Sequence, residues 1–538
     1  MIDIKQIREN PERFKKAARD KRIDVDIDEL LRIDAELLGY KKKLQDIAAE
    51  KNRLGKTITK LAPDKKQSVL YELTKLKQNE GDLAVRYKLL ESDFKERMYY
   101  VAQPPDDDVP VGKDDTENVE IRKEGKVRQF DFEPKDHVQL GTALDIIDIE
   151  RGVKLAGTRN YILKGDGALL HWAVLRFAMD FMVGKGYVPM SVPLLMKDEV
   201  MTGTGFFPGS EDQTYREEEE VSAVDAKAGK ETDQQKEEES PVLTKDEAMI
   251  GTGLSPGSED QTYRQNEEES IENVEAKPEI ISEPQDQTEK GKFNLPKTSI
   301  FLGSEFPIYR DQTTAWFFEP KDQVGKGIFN IAGTAEVPLT AYHMDEILKA
   351  EELPKKYVAM STCFRLEAGA AGKDTYGLYR IHQFDKVEQV VVCENSIEQS
   401  NRFHEEILAN SEAVMKALEL PYRIVNVCTG DLGRGQVKKY DIEAWMPSRK
   451  NYCETHSASK FYEFQARRMN LRYKDDKSKI ENRKSKIQFC HTLNNTVIAS
   501  PRILIPILEL YQNADGSVTI PKVLRPYMGG KEKIVKRK

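Results

Sequence analysis

The chain has 538 residues, 33% charged and 39% hydrophobic, with a formal net charge of −9. That length can bury a large core and suggests two or more units, and no apolar run approaches twenty residues, so no membrane span is expected. Residues 217–290 hold 23 Asp/Glu against 7 Lys/Arg, a net of −16 that leaves the remainder at +7, so the global charge says little about partners. The opening MIDIKQIREN carries acids early and lacks the apolar stretch of a signal peptide, which points to a cytoplasmic location. Cys363, Cys393, Cys428, Cys453 and Cys490 are odd in number and form no CxxC pair. Buried thiols in a reducing compartment are expected, rather than a disulfide scaffold or a structural zinc site.

From Leu30, apolar or tyrosine positions recur at 33, 37, 40, 44, 47, 54, 58 and 61, and Pro63–Asp64 breaks the pattern. A second run follows at Leu70, Leu73, Leu76, Leu83, Tyr87, Leu90 and Phe94, ending before Pro104. The spacing predicts two antiparallel helices of about 30 residues, each roughly 45–50 Å long, meeting along one seam. A hairpin of that length must project from a globular body. Its outer faces carry lysines, among them Lys41, Lys51, Lys60 and Lys75, with Glu and Asp interspersed. A spacer or oligomerisation coiled coil and a lever reaching a nucleic-acid backbone both fit this pattern. Residues 106–115 read as a linker, so the first domain is taken as 1–115 and the second as 116–538.

In the second domain, residues 169–182 read as an apolar helix stopping near Gly184 and Gly186, and 187–195 as a strand in which Pro189 and Pro193 demand edge or bulge positions. The stretch 197–216, KDEVMTGTGFFPGSEDQTYR, recurs at 245–264 with 16 of 20 positions identical, and 303–310 echoes it weakly. The Glu-, Gln- and Lys-rich sequence around 217–300 has few aromatics and is expected to be a largely disordered acidic insertion. The first copy is expected to hold the structural position, with the second as a solvent-side duplicate.

The chemistry concentrates further on. In IFNIAGTAEVPL (328–339), Thr334 and Glu336 place a hydroxyl and a carboxylate two residues apart, a pair able to hold a small ammonium group. Residues 357–388 read as a long hairpin around Gly369, Gly372 and Gly377. Arg365 and Glu367 share one strand face, Arg380 and Glu388 lie on the return limb, and Phe384 supplies a flat ring. Such a floor suits a polyanion carrying a base, although a solvated charged hairpin has the same pattern. Residues 396–417 read as a helix, and 422–428 and 440–445 as strands around GDLGRG, whose glycines could turn near phosphate. There is no GxxxxGK[ST] or GxGxxG motif. Residues 491–493 read as the end of a strand, and Pro501 as the start of a helix carrying Leu504, Ile507, Leu508 and Tyr511 on its apolar face. Arg502 in its first turn is unfavourable unless an anion compensates both the cation and the helix dipole.

FRLEAGAAGKDTYGLYRIHQFDKVE (364–388), TAEVPLT (334–340) and FQARR (464–468) together resemble the class II aminoacyl-tRNA synthetases, and specifically the seryl-tRNA synthetases. Residues 187–193 and 486–502 are similar to that family's first and third signature motifs. The resemblance implies an α+β fold, with an antiparallel-sheet catalytic domain behind an N-terminal antiparallel coiled-coil arm. It implies that the arm grips tRNA(Ser), that Pro193 packs at the axis of a homodimer, and that ATP, Mg²⁺ and L-serine meet on the sheet. Carried over residue by residue, Thr334 and Glu336 hold the serine amine, and Glu388, Asn494 and Thr496 line its pocket. Arg365 meets the serine carboxylate and the ATP α-phosphate; Glu367 and Phe384 take the adenine. Arg380 and Arg502 neutralise terminal phosphate, and Glu454 holds Mg²⁺ with Ser457 beside it. Lys460, Phe461, Asn495, Val497 and Pro501 depart from the family pattern, placing a charge near the site and bulk at its floor. The implied activity is ATP-dependent attachment of serine to tRNA(Ser) through a seryl-adenylate, with Arg365 and Arg502 as the catalytic cations. The rivals are an RNA-binding paralogue impaired in charging and a ligase that loads a carrier protein.

Overall fold

The computed structural model describes residues 1–58, 61–216, 308–310, 316–318, 329–368, 375–475 and 486–536. Four helices open the chain: α1 (Ile4–Glu9), α2 (Pro11–Asp20), α3 (Ile27–Ile58) and α4 (Pro63–Tyr100). Asn10 caps α2 through Arg13 N–H and Pro11 sits in its first turn, so a short local signal sets that helix without a long apolar period. Helices α3 and α4 pair as the predicted hairpin, with Lys51 and Glu80 bridging them at 2.5 Å. Ile47 and Leu54 are buried, whereas Val69, Leu73, Leu76, Leu83, Tyr87 and Leu90 are only half-buried, because two helices alone cannot enclose a seam. Leu70 lies outside that seam and is exposed; its neighbour Val69 faces inward.

The body of the chain is built on an eight-stranded sheet: β1 (Val119–Glu124), β2 (Val188–Met190), β3 (Lys355–Phe364), β4 (Gln383–Cys393), β5 (Tyr422–Asn426), β6 (Lys438–Met446), β7 (Asn451–Tyr462) and β8 (His491–Ser500). Its order is β1-β5-β6-β7-β8-β4-β3-β2, antiparallel except where β2 runs parallel to β3. The helices Asp166–Gly184, Ile397–Ala417 and Leu504–Leu510 share one apolar core with these strands. By length and composition Asp166–Gly184 is also apolar enough to cross a membrane, unlike the expectation from run length; here Ala173, Val174, Leu175, Ala178 and Met182 are buried in that core.

Several boundaries differ from the sequence reading. β8 begins at His491 rather than ending near Leu493, because helix Ile397–Ala417 buries its back and β4 and β7 flank it. The stretch 187–195 splits into β2 and a separate strand, Leu195–Lys197, that pairs with Phe329–Ile331. Residues 106–115 are docked rather than loose: Val109 packs on Val425, Val427 and Leu432, and Asp106 and Gln103 N–H groups donate to the Val437 and Arg434 carbonyls. The first repeat copy follows directly, with helix Asp198–Thr204 leading to Arg216, which bridges Asn330. The second copy lies outside the described residues. Between 219 and 326, the described elements are Ile308–Arg310 and Trp316–Phe318, paired antiparallel.

Candidate active site

A pocket of about 170 Å³ opens over β4, β7 and β8. Its alternation comes from the strands: on β4, Phe384, Lys386 and Glu388 point into it at period two. On β8, Asn494 and Thr496 line it, and a register shift between Val387 and Glu388 then brings Ala499, not Ile498, to the same side.

One end of the pocket is acidic and closely bonded. Glu388, only 2% exposed, lies 2.5 Å from the Lys386 ammonium and accepts from Thr496 Oγ1 at 3.2 Å. Lys386 also donates to Thr496 Oγ1 at 3.3 Å. Glu336 opens the helix Glu336–Ala341; its N–H donates to Thr334 Oγ1 at 3.2 Å, and Gln465 Nε2 donates to its carboxylate at 2.9 Å. Burial and repulsion by Glu388 push the Glu336 carboxyl up to about 7, against the pull of Lys386, Gln465 and Arg365. Asn494 Nδ2 is buried without a hydrogen-bond partner among the described residues, a donor that lines the pocket where a ligand would complete it.

The other end is cationic. The Arg365 guanidinium sits 5.2 Å from the centre of the Phe384 ring, and no ion pair engages it among the described residues. Arg502 stacks over Tyr379 at 4.5 Å, donates to the Tyr379 and Glu454 carbonyls at 3.1 and 3.2 Å, and lies 3.8 Å from the Glu454 carboxylate. Desolvation in the cleft raises Glu454, but Arg502, Lys439, Arg365 and Arg380 outweigh it and hold the carboxyl below its usual value. Arg380 pairs with Glu367 at 3.1 Å.

Comparison with known proteins places this geometry. The Seryl-tRNA synthetase N-terminal domain family matches residues 1–102, and the tRNA synthetase class II core domain (G, H, P, S and T) matches residues 321–511. The serine–tRNA ligase of Deinococcus radiodurans is 35% identical over 99% of this chain and 98% of its own length. That of Thermosipho melanesiensis is 36% identical over 98% of this chain and 99% of its own. The chain belongs to the serine–tRNA ligase family. Among solved structures, the seryl-tRNA synthetase of Pyrococcus horikoshii complexed with ATP superposes with a TM-score of 0.73 at 30% identity, covering both chains fully. The cytoplasmic serine–tRNA ligase of Naegleria fowleri in complex with AMP gives 0.71 at 25%, covering 100% of this chain and 99% of that one.

The residues that the serine–tRNA ligase resemblance singled out converge. Thr334, Glu336, Arg365, Glu367, Phe384, Glu388, Glu454, Ser457, Asn494, Thr496 and Arg502 all line the one pocket. Arg380 does not; it stands behind Glu367 as its ion-pair partner. Three expectations need correction. Arg365 and Glu367 do not share a strand face, because β3 ends at Phe364 and Glu367 adopts a left-handed backbone (φ 52°). That conformation is held by Arg380 on its carboxylate and by Arg159, whose guanidinium donates to the Glu367 carbonyl at 3.0 Å. Thr334 and Glu336 meet across the tight turn expected after the strand, with Glu336 already opening a helix. Arg502 precedes the seven-residue helix Leu504–Leu510 instead of sitting in its first turn, so its docking rests on Tyr379 and Glu454 rather than on a helix dipole. GDLGRG sends only the following residue, Gln436, into the pocket; Arg434 turns away to the Pro208 carbonyl and the Tyr100 ring.

The departures from the family pattern face elsewhere. Lys460 is buried on the opposite side of β7, 2.6 Å from Asp106, so it adds no charge to the pocket. Val497 belongs to the core, and Asn495 is engaged by Gln389 and Ser411. Sequence reasoning overlooked Lys386, Tyr379, Ser459 and Gln465. Lys386 was legible, two residues before Glu388 on the same strand face. Gln465 was not, because its side chain reaches Glu336 and Thr492 only through the tertiary fold.

Proposed function

We propose that this pocket activates serine with ATP and passes the seryl group to tRNA(Ser). The observation that carries the reading is that Arg365 and Arg502, far apart in the chain, line one cavity whose opposite end holds Glu336, Glu388, Asn494 and Thr496. At that end Glu336 and Thr334 take the amino group. Glu388 and Thr496 take the hydroxyl, and the open Asn494 amide donates to the substrate. A one-carbon side chain offers little area, so selectivity comes from its hydroxyl; alanine would leave buried polar groups unmatched.

Arg365 draws the serine carboxylate and the α-phosphate together. A carboxylate oxygen forms a bond to the α-phosphorus as the bond to the bridging oxygen of the β-phosphate breaks, and pyrophosphate leaves with the electron pair. Phe384 and Glu367 receive the adenine, with Arg380 fixing Glu367, and Arg502 takes up charge on the outer phosphates. The 2′- or 3′-hydroxyl of the tRNA terminus then attacks the mixed anhydride, releasing AMP. No side chain serves as a covalent nucleophile.

The donor set fits Mg²⁺ carried on nucleotide. Glu454 is an exposed, ionised carboxylate beside Arg502, and no cluster of three or more His, Cys, Asp or Glu that could cage a metal occurs among the described residues. One or two protein carboxylates plus phosphate oxygens suffice for this ion, which would neutralise phosphate charge.

The domain boundary near 115, the location in the cytoplasm and the homodimer belong to the same proposal. Support for the dimer is the exposed sheet edge at β2, where Val188 is uncovered, as is Met360 on the adjoining β3. The α3–α4 hairpin is assigned to tRNA: its deletion should abolish tRNA charging and spare serine-dependent pyrophosphate exchange. Exchange measured on purified protein tests the whole reading, and a parent protein without it would sink it.

A further inference from the structure

Gln436, at the end of the loop 433–436, is a wall of this pocket that none of the roles above uses. Gln436 lines it, and both ends of its carboxamide are held: Gly433 N–H donates to Oε1 at 2.7 Å, and Nε2 donates to Ser459 Oγ at 2.8 Å. The backbone under it is fixed from two sides. The buried Lys21 ammonium donates to the carbonyls of Gly433 (3.2 Å), Arg434 (3.3 Å) and Gln436. Gly435 lies flat on Phe464, where an added Cβ would come within 2.4 Å of the ring. Gln436 is therefore a rigid boundary, not a mobile surface side chain.

Its position identifies which substrate it meets. Along β7, Glu454 marks the phosphate end, and Ser459 lies five residues further, roughly 16 Å at strand rise. Ser459 stands directly across from Asn494 on β8, at the acidic end of the pocket. Because Ser459 Oγ accepts from Gln436, its own proton is left to donate into the cavity. On the reading of that end as the serine subsite, we infer that Gln436, with Ser459, is a specificity-determining wall that limits the amino acid to a side chain without a β-methyl group, so that threonine is excluded by volume.

The test is ATP–pyrophosphate exchange with serine and with threonine, on the full-length parent and on Gln436→Ala and Gln436→Met. In Gln436→Ala the threonine-to-serine ratio of kcat/KM should rise roughly tenfold or more, the worth of one methyl group in a closed pocket, with the KM for ATP unchanged. Gln436→Met keeps the bulk and should keep the parent ratio, while serine KM rises because Ser459 loses its partner. A ratio in Gln436→Ala equal to the parent's, or an equal rise in both variants, overturns the inference. Should Gln436→Ala melt well below the parent, Gln436→Ser decides by the same ratio. A parent that shows no serine-dependent exchange would instead overturn the reading of the site, a separate and visible outcome.

Discussion

Strand β8 is buried along its whole length, yet its two faces are finished differently. On the face toward helix Ile397–Ala417, Leu493, Val497 and Ile498 join the core, and the polar Asn495 among them is closed on every side. Asn495 Oδ1 accepts from Gln389 at 2.6 Å and from Ser411, and its Nδ2 donates to the Ser457 carbonyl at 2.8 Å. On the pocket face, Asn494 Nδ2 has no partner among the described residues, and across the floor the Arg365 cation acts on Glu336 and Glu454 through space without a direct ion pair to a described residue. A buried polar group that is satisfied builds a unique core; one left open marks where substrate supplies the missing half. Adjacent residues of one strand thus divide stability from chemistry.

That division can be broken by experiment. The largest effect should come from the open face: Arg365→Ala or Arg502→Ala should cut serine-dependent exchange by about 100- to 1000-fold with little change in melting temperature. If both variants exchange as the parent does, the two arginines serve folding and not phosphate. On the closed face, Asn495→Ala strands Gln389 and Ser411 and should cost about 1–3 kcal/mol in denaturant unfolding, with a far smaller change in exchange than either arginine variant.

A pH profile sharpens the same contrast. Glu336 is held up near 7, so below that pH it is protonated and cannot pair with an ammonium group. Serine KM should rise as pH falls below about 7, approaching about tenfold per unit, while ATP KM stays flat over that range. The sign for folding is opposite: a raised carboxyl lends stability below its ordinary range and loses it as pH climbs through about 7. A serine KM independent of pH on both sides of 7 would remove Glu336 from the amine site. The smallest effect belongs to the arm, where Lys51→Ala should cost under about 1 kcal/mol because its pair with Glu80 is partly exposed and screened.

Much of this was readable one dimension at a time. The hairpin α3–α4 announced itself by a three-and-four apolar spacing, and Phe384 and Glu388 by their place on the return limb of a strand hairpin. Misreadings arose where a local rule met a tertiary exception. Strict alternation put Glu367 on a strand that stops at Phe364, and a helix-start signal at Pro501 put Arg502 inside a helix that begins only at Leu504, after Ile503. Val497 and Lys460 looked like obstacles to the site until the register shift on β8 and the docked segment at Asp106 gave each a place on the far side of the sheet.

The amino-acid sequence alone settled the kinds of groups available: cations, carboxylates, hydroxyls and an aromatic ring, on segments whose periodicity made them helix or strand. Which of those groups share a cavity, and which are paired or left open, was decided only when β4, β7 and β8 came side by side. The reason is physical. Periodicity is a property of neighbours along the chain, whereas burial, charge compensation and an unmet hydrogen bond are properties of neighbours in space.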